Sequence, residues 1–167
     1  MAGQYHAVRS QENEDSIIKF ENDSIMVVAV SDGCSESAGA KAASQASCEA
    51  SVKFAKTRDV WSTDDNTLKS AFLSVIDDVY MDTKLPYNLL KATLLLLVVS
   101  KITGDYVGIS IGDCSALVLD ENLNKPEVLL KPYNQFMQAT RTVFANNKDA
   151  DALMACLLYT SPSPRDT

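Results

Sequence analysis

Three acidic features of the chain have the residue types and neighbours that chemistry can use: Asn13-Glu14-Asp15, Asp32-Gly33 and Gly112-Asp113. A hard divalent cation such as Mg²⁺ or Mn²⁺ takes a few carboxylate oxygens and completes its shell with water. A glycine beside a ligating aspartate leaves the backbone carbonyl open and lets the chain turn sharply. Such a site polarises a phosphoryl group and activates a water. Each feature also has a plainer reading when taken alone. Glu14-Asp15 reads as a solvated turn, Asp32-Gly33 as a strand-to-helix turn, and Gly112-Asp113 as a turn or bulge between strands. His6, the single histidine, is a general acid or a structural residue, and Arg9 is a phosphate clamp or a surface cation. Cys34 and Cys114 read as small buried thiols, because no second histidine is present to activate either.

The elements around these acids are legible from periodicity. Ser16-Ile17-Ile18 reads as a strand following the Glu14-Asp15 pair, and Val27 to Val30 reads as a strand covered on both faces, running directly into Ser31-Asp32-Gly33. From Ser37 to about Lys56 the chain is rich in alanine and lacks proline. Ala43, Ala46, Ala50 and Phe54 recur there at helical spacing, a face of small side chains suited to close packing on a sheet. A second helix is expected over Asp64 to Met81, with Leu68, Phe72, Val75 and Val79 as its stripe and Asp64 or Asp65 as its cap. Strands return at 92–100 and 106–120, separated by the Thr103-Gly104-Asp105 turn, and again near Lys125 to Lys131. Strands, two helices, then strands predict an α+β fold, antiparallel sheet with helices packed on a face.

Composition narrows the partners. The 167 residues are 46% hydrophobic and 22% charged, enough for one domain or a piece of one. A net charge of −7 speaks against an electrostatic grip on nucleic acid or an anionic membrane. The four cysteines show no C-x-x-C spacing, so a Cys/His zinc site lacks ligands. The N-terminal residues lack the apolar run of a signal peptide, and the apolar run 92–99 is too short for a membrane span, so a cytoplasmic location is expected. The tail LLYTSPSPRDT, 157–167, resembles translated sequencing-adapter DNA and is set apart as non-native or disordered, leaving 1–156 as the domain portion.

The order of the motifs carries more than any one of them. GQYHAVRSQENEDS (3–16), IMVVAVSDGCSESAGAKAA (25–43) and KATLLLLVVSKITGDYVGISIGDCSALVLD (91–120) together resemble the metal-dependent type 2C serine/threonine protein phosphatases, in their bacterial branch. That family shows an acidic N-E-D or N-Q-D motif, a strand ending in V-x-D-G before a helix, a small-Thr apolar strand, and a strand ending in G-D.

The resemblance implies a four-layer α-β-β-α sandwich of two antiparallel sheets flanked by helices, and a site holding two divalent cations, Mg²⁺ or Mn²⁺. Asp32 is similar to the carboxylate that bridges both ions, and Gly33 to the residue whose carbonyl binds one of them. Glu14 and Asp15 are similar to the acid pair serving the second ion, and Asp113 to the aspartate near a third, weaker ion in bacterial members. His6 and Arg9 fall where the family places substrate-binding residues, although Arg9 precedes Glu14 by five positions where many members have four. The implied reaction is hydrolysis of phosphoserine and phosphothreonine in proteins by a metal-activated water, opposed in the cell by a serine/threonine kinase. Two aspartates that complete the family's first metal site, in D-G and D-N motifs, have no counterpart after Asp120. A C-terminally truncated fragment with little activity of its own is therefore expected. The alternatives are an inactive phosphatase-like binding module and an unrelated acidic α/β domain whose Asp-Gly pairs only turn the chain.

Overall fold

The computed structural model describes residues 13–61, 64–112, 114–118 and 127–130. Strand β1 (Ser16–Glu21) pairs antiparallel with β2 (Ile25–Ser31), from Ser16 opposite Ser31 to Glu21 opposite Met26. The turn between them is built by Asn22, whose side-chain oxygen accepts the Ser24 N–H at 2.9 Å and the Ile25 N–H at 2.8 Å. After two helices the chain returns as β3 (Leu94–Ser100), antiparallel to β2, followed by β4 (Tyr106–Ile111), antiparallel to β3. The four strands form one sheet in the order β1-β2-β3-β4. A short ribbon of β5 (Ala116–Val118) and β6 (Glu127–Leu130) stands as a second, two-stranded sheet.

Helix α1 (Ala40–Thr57) lies across the sheet on the face bearing Val27, Ala29, Leu94, Leu96 and Val98, all buried. Its small residues allow a close approach: the Cys48 thiol reaches the carbonyl of Ala29 at 3.6 Å, and the Ser44 hydroxyl reaches that of Ser16 at 2.9 Å. Helix α2 (Asp65–Thr83) packs on α1, with Phe54 and Phe72 meeting edge to face at 5.1 Å between ring centres. Asp64 caps α2, accepting the Thr67 N–H at 3.2 Å and the Thr67 hydroxyl at 2.6 Å. The stripe expected from sequence is buried at Leu68, Phe72 and Val75 and half-buried at Val79. Ile76 and Tyr80 complete it.

Two boundaries differ from expectation. Helix α1 begins at Ala40 rather than Ser37. The Ser37 hydroxyl donates to the Leu89 carbonyl rather than capping the helix, and Gly39 lies so close to that carbonyl that a Cβ there would sit 2.5 Å from its oxygen. The stretch expected as strand over 106–120 breaks after Ile111, at the Gly112-Asp113 pair that also reads as a turn between strands, where the Gly112 φ of 97° bends the chain into a region glycine favours. Of the expected layers, the described residues show helices on an antiparallel sheet. His6, Arg9, Asp113 and the tail 157–167 lie outside them. Among the described residues no helix is long and apolar enough to cross a membrane.

Candidate metal centre

The acidic corner forms where three strand ends converge. The β1–β2 register, continued one step past Ser16 and Ser31, sets Asp15 opposite Asp32, and one step further the Gly33 N–H donates to the Glu14 carbonyl at 3.3 Å. On its other side Gly33 bridges to Ala92, just ahead of β3. Gly33 is buried between these neighbours and the start of α1. A Cβ on it would meet the Ala40 carbonyl oxygen at 2.5 Å and that of Glu14 at 3.0 Å. The glycine therefore lets strand and helix ends approach more closely than any side chain would permit.

Glu14 is half-buried with its Oε2 withdrawn from solvent, whereas Asp15 and Asp32 are exposed. The Asp32 backbone is held firmly: its carbonyl accepts the Thr93 N–H at 2.8 Å, and its N–H donates to the Thr93 hydroxyl at 3.2 Å. Lys41, in the first turn of α1, donates to the Asp15 carbonyl at 3.0 Å. Burial pushes the Cys34 thiol up. Lys91 opposes that shift, while the carboxylates of Asp32, Glu36 and Glu14 reinforce it, so the acids share the field around Cys34. Cys34 and Cys114 are half-buried, not buried as expected from sequence, and the core thiol is Cys48. Both backbones are tied by hydrogen bonds: the Cys34 N–H donates to the Lys91 carbonyl, and the Cys114 carbonyl accepts from the Ser110 hydroxyl.

The structure thus brings Glu14, Asp15, Asp32 and Gly33 to one corner. Among the described residues no group of three or more His, Cys, Asp and Glu side chains is placed to hold an ion. The donors that the strand ends bring near Gly33 are carboxylate-bearing residues and backbone carbonyl oxygens. In kind they fit a hard divalent cation and not a soft one. Sequence reasoning missed Lys41 and the part taken by Thr93. The signal for Thr93 was a hydroxyl heading a wholly apolar run. Lys41 gave none, since its contact depends on where α1 starts.

The fold and the motifs agree with known proteins. The chain shares its fold with RsbX, solved in complex with magnesium, at a TM-score of 0.59 and 16% identity, covering 92% of this chain and 62% of RsbX. It also matches a stage II sporulation E family protein from Thermanaerovibrio acidaminovorans at a TM-score of 0.60 and 15% identity, covering 89% of this chain and 74% of that one. The chain thus spans less than two thirds of the length of RsbX. No curated protein matches the sequence. The pattern that defines Protein phosphatase 2C matches residues 2–163, nearly the whole chain, and the chain belongs to that family.

Proposed function

We propose that the protein is a metal-dependent phosphatase acting on phosphoserine and phosphothreonine in proteins. The observation that carries this reading is the register that sets the backbones of Glu14 and Asp15 beside those of Gly33 and Asp32 at adjacent strand ends, in a chain of the 2C family. Asp32, the Gly33 carbonyl, Glu14 and Asp15 would hold two divalent cations, Mg²⁺ or Mn²⁺, and Asp113 would serve a further ion. The ions supply Lewis acidity toward the phosphoryl oxygens and toward water. The protein's own part is positioning. Gly33 keeps the strand ends close, Thr93 fixes the Asp32 backbone, and Arg9 and His6 bind the phosphate of the substrate. Water is the phosphoryl acceptor, so no covalent phosphoenzyme forms.

The described sheet, α1 and α2 are one half of a four-layer sandwich, and the β5–β6 ribbon belongs to the other half. The activity is assigned to the protein carrying the two further aspartates of the family's first metal site. It acts in the cytoplasm, opposite a serine/threonine kinase. One observation favours a second reading, an inactive phosphatase-like binding module: among the described residues no three acidic side chains close on a common point. A single assay separates the two. The uninterrupted reading frame should release phosphate from a phosphoserine peptide only with Mn²⁺ or Mg²⁺, and Asp32→Ala should abolish the release. Turnover that survives Asp32→Ala, or none in the wild type, overturns the proposal.

A further inference from the structure

Thr93 heads an otherwise unbroken apolar run, Leu94 to Val99, and its side chain is buried at 6% exposure. It lies where the β2–β3 ladder departs from its regular pattern. Regular pairing ends at Val30 opposite Leu95 and resumes at the Gly33–Ala92 bridge. Between them, Asp32 and Thr93 share an irregular rung. In an antiparallel ladder opposite residues alternate between pairs that exchange both N–H···O=C bonds and pairs that exchange none, and the unbroken register puts Asp32 and Thr93 at a bonded position. Here only one such bond forms, from the Thr93 N–H to the Asp32 carbonyl at 2.8 Å. The Asp32 N–H goes instead to the Thr93 hydroxyl at 3.2 Å, and the Thr93 carbonyl takes the Ser31 hydroxyl at 2.5 Å. The same Thr93 hydroxyl accepts the Cys114 thiol at 3.4 Å and faces the Asp32 carbonyl at 3.5 Å. A hydroxyl has one donor and two acceptor sites, and all three are engaged.

We propose that Thr93 is a positioning residue whose hydroxyl joins the acid-bearing end of β2 to the chain just beyond β4, at Cys114. Its consequence for the site rests on the reading of Asp32 as a metal ligand. The joint itself does not. Cys114 is held from its other side by the Ser110 hydroxyl, 3.1 Å from its carbonyl, so the link is continuous from Asp32 to β4. Residues that orient metal ligands from behind change metal affinity by about ten- to a hundredfold when removed.

Thr93→Val keeps the shape of the side chain and removes the hydroxyl, whereas Thr93→Ser keeps the hydroxyl. In the full chain without metal, Thr93→Val should speed hydrogen exchange at the Asp32 amide by about tenfold or more. It should also speed alkylation of Cys114 by iodoacetamide, read by peptide mass spectrometry. Thr93→Ser should leave both near wild type. Unchanged alkylation of the buried Cys48 shows that the fold is intact. If Thr93→Val fails that control, Thr93→Ala against Thr93→Ser makes the same comparison. With Mn²⁺ followed by calorimetry, the hydroxyl-free variant should bind about tenfold more weakly. Unchanged exchange and alkylation overturn the joint, and altered exchange with unchanged Mn²⁺ affinity overturns its role at the site. A wild-type chain that binds no Mn²⁺ but shows the expected metal-free changes upholds the joint and overturns the metal reading alone.

Discussion

The hydroxyl of Tyr80 on α2 lies 2.8 Å from that of Ser47 on α1, with both residues buried at 1% exposure or less. Tyr80 also donates to the Ala43 carbonyl at 3.1 Å, so Ser47 is the donor in the shared bond. This polar link sits inside the interface that seats the two helices. Tyr80→Phe keeps the ring and leaves the Ser47 hydroxyl in apolar surroundings, which should cost about 1–3 kcal/mol. Urea unfolding measures it. Adding Ser47→Ala to the Tyr80→Phe chain should cost less than Ser47→Ala alone, because the partner is already gone.

A second prediction concerns Gly33. A Cβ there would overlap two backbone carbonyls, of Ala40 and Glu14, and neither can rotate away as a side chain would. Gly33→Ala should therefore push the strand end from the start of α1 and destabilise the chain by about 1–3 kcal/mol. The strain falls at the acidic corner, so Mn²⁺ affinity should fall with it. Loss of stability with unchanged affinity would place the corner's ion elsewhere.

Buried acids make the fold sensitive to alkali. Burial, reinforced by Glu49, pushes the Cys48 thiol from 9.0 up to about 12, and burial likewise raises the Tyr80 phenol. Both groups keep their protons longer in the folded chain than in the unfolded one. The stability this provides is complete below pH 9.0 for Cys48 and declines as pH rises toward about 12. Each such group can contribute a slope of up to about 1.4 kcal/mol per pH unit. Urea midpoints should accordingly fall as the pH rises above about 9, and Cys48→Ala should flatten the fall.

These relationships differ in how far the sequence discloses them. The alanine face of α1 follows from side-chain periodicity, so the residues alone disclose it, whereas β2, expected to be covered on both faces, is buried on the face of Val27 and Ala29 and half-buried on that of Val28 and Val30. Asp32-Gly33 at a strand end is also readable, because the apolar run stops there. The start of α1 is not, since Ser37 finds its partner in Leu89, far along the chain. The break at Gly112 lies where the Gly112-Asp113 pair reads as a turn between strands, although the apolar pattern over 106–120 runs across it. The pairing of Thr93 with Asp32 belongs with the start of α1. Register across 61 residues decides it, and the sequence hints at it only through the hydroxyl heading an apolar run, which is also the small-Thr motif of the resemblance.

The corner's own energetics supply the last prediction. Glu14, Asp15 and Asp32 are brought to adjacent strand ends, where like charges oppose folding and a cation bound there would offset them. Asp32→Asn removes one charge while leaving both backbone bonds to Thr93 in place. Without metal it should therefore unfold no more easily than wild type, and by up to about 0.5 kcal/mol less easily. With free Mn²⁺ at a hundred times its dissociation constant, wild type should gain about 2.7 kcal/mol and the variant little. Thermal unfolding with and without Mn²⁺ reads both effects on one sample. The order of the two proteins should reverse when the ion is added, a reversal that a purely structural aspartate would not give. If Asp32→Asn is the weaker protein under both conditions by the same margin, Asp32 is a turn residue and not a ligand.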